Sequence, residues 1–338
     1  MTLSQYSKEI LPAIEKALQD SVAGFFLDKR YENLRRMMAY HLGWEGAGSG
    51  LTAQGKRIRP QVVLLCCEAA GGKWQNALPA AAAIELIHNF SLIHDDIEDH
   101  SDLRHGRMTI WAKWGEAQAV NTGDAMFTLA NLTLMDLKNT LPADKVLAAM
   151  ELLQRTCFDL TRGQFLDISY EGKKSIQLRD YWPMIGGKTA ALLASSAQLG
   201  ALIGEANEAQ QKAFYHFGYS LGLAFQAQDD VLGIWGDDAF LGKSTKSDLV
   251  NGKKTLPVLY ALNNNGPFAK RWWSGPLKSG EIASLAEQLR LEGAKEYCLA
   301  QVDRLTGEAL SALNDAIHES EARKTLYELA MNLLQRTY

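Results

Sequence analysis

"ELIHNFSLIHDDIEDHSDLRHG", residues 85–106, carries an apolar helical run straight into a cluster of charge. Ile84, Ile87 and Leu92 recur at helical spacing, and Asp95, Asp96, Glu98 and Asp99 then crowd its end. On a helix Asp95 and Asp99 are i and i+4 and share a face, with Asp96 about 100° round from Asp95. Three aspartates there repel one another and oppose the negative end of the helix dipole. A bound cation relieves both effects. Oxygen ligands without His or Cys favour a hard ion, and Mg2+ takes one or two carboxylates while phosphate and water oxygens complete its shell. For an isolated acidic cluster the competing reading is a solvated helix end.

Helical spacing extends in both directions from this stretch. Leu11, Ile14 and Leu18 repeat near the start, and Leu221, Phe225 and Leu232 repeat later, while no alternating strand pattern of useful length appears. With 338 residues and 47% hydrophobic content the chain is long enough for a large core, and it reads as one all-helical domain spanning 1–338. The segment "NNNGPFAKRWWSGP" (263–276), rich in turn residues, reads as a surface connection before the last helices. Lys plus Arg number 35 against 39 Asp plus Glu, so the net charge of -4 offers no basic field for nucleic acid. The first residues show no export signal, and the longest nearly uncharged stretch, "TAALLASSAQLGALIG" (189–204), is too short to span a bilayer. Cys66, Cys67, Cys157 and Cys298 have no metal or disulfide spacing, which suits idle thiols in a reducing cytoplasm.

A second acidic pair tips the balance toward metal. "LAFQAQDDVLGIWGDD" again leads a helical run into adjacent carboxylates, Asp229 and Asp230. Cationic side chains suited to a diphosphate accompany the two acidic stretches: Lys56, Arg57 and Arg59 in "GKRIRP", Arg104 and Arg107 in "LRHGR", Lys188 in "GGKTA", and Lys243, Lys253 and Lys254 further on. None belongs to a Walker A loop.

The ordered series "GKRIRP", "LIHDDIEDHSDLRHG", "GQFLD", "MIGGKTA", "FQAQDD" and "GKKTLP" resembles the trans-polyprenyl diphosphate synthase family over roughly residues 50–260. The resemblance implies an all-α bundle of antiparallel helices around a deep central cavity, a homodimer, and head-to-tail condensation of isopentenyl diphosphate with an allylic diphosphate. It implies that Asp95, Asp96, Asp99, Asp229 and Asp230 hold Mg2+, and that Arg104, Lys188, Lys243 and Lys253 contact the allylic diphosphate. Isopentenyl diphosphate would sit on Lys56, Arg59 and His88, with Thr189 and Gln226 stabilising the developing cation. The helical spacing of seven puts His88 on the face of Asp95.

Two positions depart from the family pattern. His105 stands where a second Arg is usual, which weakens a phosphate contact at neutral pH, with Arg107 as the neighbouring candidate to replace it. Gly233 stands where many relatives carry a third Asp of the second motif. Terpene cyclisation or a non-standard coupling on the same fold, and a non-catalytic partner subunit, are the competing functions. Retention of "GKRIRP" and His88 favours condensation. Phe90 and Ser91, just ahead of Asp95, resemble the chain-length region of archaeal-type geranylgeranyl diphosphate synthases, with Phe90 as part of the cavity floor.

Overall fold

The computed structural model describes residues 2–26, 28–173, 176–236, 247–250 and 252–334. It is all-α. In chain order the helices are α1 (Leu3–Phe25), α2 (Glu32–His41), α3 (Leu51–Gln54), α4 (Ile58–Ala69), α5 (Leu78–Glu98), α6 (Ile110–Trp114) and α7 (Glu116–Met135). There follow α8 (Ala143–Glu171), α9 (Leu178–Ile185), α10 (Ala191–Ile203), α11 (Glu208–Trp235) and α12 (Ser247–Val250). The last are α13 (Leu256–Asn264), α14 (Pro267–Trp273), α15 (Ile282–Leu291), α16 (Ala294–Ala316) and α17 (Glu321–Leu334). One two-residue hairpin, β1 (Leu103–Arg104) and β2 (Arg107–Met108), interrupts them.

Contacts group the chain into two compact units, Met1–Gln154 with Ser196–Gln211 and Glu319–Leu326, and Arg155–Ser195 with Lys212–His318 and Tyr327–Tyr338. In the first unit α5 packs most extensively on α7, then on α4 and α1. Ala80, Ala81, Ala82 and Ala83 keep the first turns of α5 slim, and Ile84, Leu86 and Ile87 are buried with them. Against α7 the approach is closer still: a methyl group on Gly123 would lie 2.2 Å from His94 Nε2. Helix α1 begins with a capping box between Thr2 and Gln5 and buries Tyr6, Ile10, Ile14, Leu18 and Val22, a single face at helical spacing.

In the second unit α8, α9 and α11 carry the polar groups of interest, and the last turn of α11 joins an apolar cluster. Ile234, Leu249, Val258, Phe268, Leu285 and Leu289 meet in that cluster. Here the structure corrects the reading of 263–276 as a surface connection. Within it α14 is a helix whose Phe268 and Ala269 are buried, and Glu292 Oε1 accepts the Phe268 N–H at 2.8 Å. Asn, Gly and Pro mark the boundaries of this short helix rather than a loop.

All four cysteines are buried free thiols, and burial pushes Cys67 and Cys157 up to about 12. Among the described residues no helix is long and apolar enough to cross a membrane.

Candidate active site

In the first unit the acidic end of α5 is held by the hairpin that follows it. Arg104 on β1 donates from Nε to Asp96 Oδ1 at 2.9 Å and from Nη2 to Asp95 Oδ2 at 3.2 Å. Asp96 is buried, whereas Asp95 and Asp99 are half-buried, Asp99 being the residue that ends the helix. The arginine therefore offsets the repulsion between the first two carboxylates and fixes their orientation. The turn between the strands is His105 and Gly106, both at positive φ, +51° and +73°. Two-residue hairpin turns of this hand need that conformation, and His is among the few non-glycine side chains enriched in it.

Arg107 is committed elsewhere. Its guanidinium donates to the carbonyls of Tyr40 (2.8 Å), Glu45 (2.7 Å) and Ala47 (3.1 Å) and lies 4.0 Å from the centre of the Tyr40 ring. These bonds clamp the glycine-rich loop that precedes "GKRIRP".

The three cations of "GKRIRP" part company in the structure. Lys56 is exposed. Arg57, at φ +48°, turns inward between Glu15 (2.6 Å) and Glu85 (2.8 Å) and also donates to the Leu42 carbonyl. Arg59 reaches His88, with Nη1 3.2 Å from Nε2. A guanidinium only donates, so His88 Nε2 accepts and the ring proton sits on Nδ1. Burial, reinforced by Arg59 and Arg104, holds His88 well below the usual imidazole range and therefore neutral. Burial and the same arginine-rich surroundings push His41 down to about 3. Arg59 Nε is buried without a hydrogen-bond partner, the condition of a donor awaiting an anion.

Phe90 lies edge-on to Phe127 of α7 (5.2 Å between centres) and to His94 (5.4 Å). Ser91 returns its hydroxyl to the His88 carbonyl at 2.7 Å.

In the second unit, "GQFLD" and "GGKTA" meet backbone to backbone. A methyl group on Gly163 would come within 2.0 Å of the Lys188 amide nitrogen, and one on Gly187 within 2.6 Å of the Asp159 carbonyl. Glycine at both positions lets α8 touch the wide helical turn Gly186–Ala190, a π-type turn of the kind that recurs at functional sites. That approach brings Asp167 to Lys188, with Oδ2 2.5 Å from Nζ. Next on the same turn, Thr189 donates to Gln226 Oε1 at 2.8 Å.

The two aspartates of α11 point to different surroundings. Asp229 is exposed. Asp230 is buried and accepts from Gln226 Nε2 (2.9 Å), Tyr181 Oη (2.7 Å) and the Leu256 N–H at the start of α13 (2.8 Å). Gly233, one helical turn beyond Asp229, adds no side chain. Lys254 donates to the carbonyls of Glu171 (2.9 Å) and Lys173 (2.8 Å) at the end of α8, and Lys253 beside it is partly buried. Lys243 lies outside the described residues.

The donor set is oxygen throughout, which fits Mg2+. Among the described residues no three acidic, His or Cys side chains converge as a cage, and Mg2+ shared with a diphosphate needs only one or two carboxylates.

The profile of the Polyprenyl synthetase family matches residues 46–281, the span that contains both acidic pairs and every candidate cation. The chain belongs to the polyprenyl synthetase family. It is 38% identical over 287 residues to a (2E,6E)-farnesyl diphosphate synthase of Mycobacterium tuberculosis, covering 82% of this chain and 79% of that one. A geranylgeranyl diphosphate synthase of the same organism is 36% identical over 302 residues, covering 87% and 85%. The solved geranylgeranyl pyrophosphate synthetase of Pyrococcus horikoshii superposes with a TM-score of 0.88 at 32% identity, over 98% of this chain and 100% of that one. This polyprenyl synthetase is therefore a prenyltransferase of the trans-prenyl diphosphate synthase type.

Asp167, Tyr181 and the clamp role of Arg107 went unread in the sequence of this polyprenyl synthetase. "GQFLD" carried a signal for Asp167 as a motif, but only the Gly163 and Gly187 contact gives it a partner.

Proposed function

We propose that the enzyme condenses isopentenyl diphosphate with an allylic diphosphate, head to tail and with Mg2+, and that geranylgeranyl diphosphate is its main product. The observation that carries this reading is the pair Arg59 and His88 with its unpartnered buried Nε. A second anion site of that kind serves the isopentenyl substrate and has no use in cyclisation.

Asp95, Asp99 and Asp229, the carboxylates with accessible surface, are the proposed Mg2+ ligands, while Asp96 and Asp230 face inward and orient Arg104 and Gln226. Bound Mg2+ supplies Lewis-acid stabilisation to the leaving diphosphate. Arg104, Lys188 and Lys253 bind that diphosphate, with Lys243 as a further proposed contact. Lys188 exchanges its bond to Asp167 for one to phosphate. Lys56, Arg59 and neutral His88 hold isopentenyl diphosphate, His88 donating from Nδ1. The allylic C–O bond breaks, the isopentenyl double bond attacks the resulting cation, and the departing diphosphate takes the proton lost from the new chain.

Several features support the remaining assignments. Exposed Val120, Leu132 and Met135 on α7 suit a homodimer contact. The buried free thiols suit a cytoplasmic setting.

The purified chain, given Mg2+, farnesyl diphosphate and labelled isopentenyl diphosphate, is expected to make geranylgeranyl diphosphate without any added subunit. Hydrocarbon or alcohol formed from the allylic diphosphate alone would overturn condensation. Activity that appears only on mixing with another synthase would establish the partner-subunit reading instead.

Two variants refine the proposal. Phe90→Ala opens space beside Phe127, so the product is expected to lengthen to geranylfarnesyl diphosphate and beyond by chromatography of the dephosphorylated prenols. An unchanged product removes Phe90 from the floor. His105→Arg is expected to lower KM for isopentenyl diphosphate about tenfold with kcat preserved, since it adds a charged hydrogen bond to phosphate. The backbone accepts arginine at positive φ, as Arg57 demonstrates. An unchanged KM would show that position 105 does not contact this substrate.

A further inference from the structure

A single chain of hydrogen bonds runs through the second unit from its interior to the Lys188 turn. Tyr181 Oη donates to Asp230 Oδ2, Gln226 Nε2 donates to Asp230 Oδ1, and Thr189 Oγ donates to Gln226 Oε1. Tyr181 is among the largest fully buried side chains, whereas Gln226 and Thr189 are partly exposed. The chain therefore has a fixed inner end and an accessible outer end.

Its direction follows from the chemistry of the groups. Both Asp230 oxygens act as acceptors, so the nitrogen of the Gln226 amide must face Asp230 and its oxygen must face Thr189. The Thr189 hydroxyl gives its only proton to that oxygen. Toward any further group Thr189 can only accept, and Gln226 Oε1 likewise. Bonds aligned in this way polarise one another, and the outermost oxygen carries the most negative end of the chain. With the amide reversed, Gln226 Nε2 would donate to Thr189 and turn the hydroxyl proton outward. A developing positive charge would then face the wrong end of each dipole.

We propose that Tyr181 is a positioning residue for the prenyl transfer. Through Asp230 it locks the Gln226 amide so that Thr189 and Gln226 present oxygen lone pairs, and no proton, to the developing allylic cation. This inference rests on the ionisation of an allylic diphosphate proposed above. Tyr181 touches neither substrate. The Leu256 N–H at the start of α13 bonds the same Asp230 oxygen and braces it from the other side. Burial and the neighbouring Asp230 raise the Tyr181 phenol well above its usual range.

Tyr181→Phe keeps the ring and removes the donor. In rapid-quench single turnovers its rate of bond formation is expected to fall about tenfold, the scale of one hydrogen bond to a charged group, with KM for both diphosphates within about twofold of the parent. Gln226→Met removes the amide from the chain. The double variant Tyr181→Phe/Gln226→Met is expected to react no more slowly than Gln226→Met alone, because Tyr181 acts only through the Gln226 amide. In the free protein the side-chain amide signals of Gln226, identified by their loss in Gln226→Met, are expected to be protected from exchange and to lose that protection in Tyr181→Phe.

An unchanged single-turnover rate in Tyr181→Phe would overturn the proposal. Rate losses that simply multiply in the double variant would also overturn it, since that is the behaviour of a residue acting on the fold alone. Failure of the parent enzyme to form any prenyl product is a different outcome, which removes the condensation reading itself.

Discussion

Asp229→Asn is expected to lower kcat by a hundred- to a thousandfold, the usual cost of removing one preorganised electrostatic contact to a leaving group. Asp229 is exposed on α11, so its loss leaves the core untouched and the melting temperature unchanged. Its neighbour makes the comparison informative. Asp230 is buried and caps the start of α13 through Leu256, so Asp230→Asn is expected to lower both kcat and stability. The measurement is kcat across a Mg2+ titration with thermal melting of the same samples. A kcat for Asp229→Asn within tenfold of the parent would remove it as a metal ligand.

Arg57→Met is expected to destabilise the fold by about 3–5 kcal/mol, because it leaves a buried negative charge without its partner. The side chains of Arg57 and Glu85 are only 3% and 5% exposed, and Glu15 on the other side is 20% exposed. Asn89 also donates to Glu85 Oε1, but a neutral amide cannot balance the charge. Adding Glu85→Leu to Arg57→Met removes the stranded charge and is expected to recover more than half of the loss, as for other buried ion pairs replaced by apolar side chains. Urea unfolding of the variants measures both numbers. A loss under about 1 kcal/mol for Arg57→Met would show that water reaches this network.

The contrast between Arg57 and Arg59 marks where reading the sequence stops. Both belong to "GKRIRP", two residues apart, and nothing local separates the one that pairs with buried carboxylates from the one that reaches His88. Their partners, Glu15, Glu85 and His88, are distant in sequence and are chosen by packing. The same holds for Asp230. Its adjacency to Asp229 in an acidic motif gave no sign that the helix turns one carboxylate outward and the other toward Tyr181 and α13. By contrast, the end of α5 was legible because helical periodicity places Asp95 and Asp99 on one face without any tertiary information. The all-α class was legible for the same reason, from apolar spacing in every long segment. Residues 263–276 were misread because turn-forming residues bracket a helix too short to show a period.

The central claim is that two diphosphates meet and one leaves in each cycle. The most direct test is to count inorganic diphosphate released by the purified enzyme with Mg2+ and farnesyl diphosphate, with and without isopentenyl diphosphate. One diphosphate released for each isopentenyl unit incorporated, with negligible release when isopentenyl diphosphate is withheld, is the expected result. Steady release from the allylic diphosphate alone would contradict it.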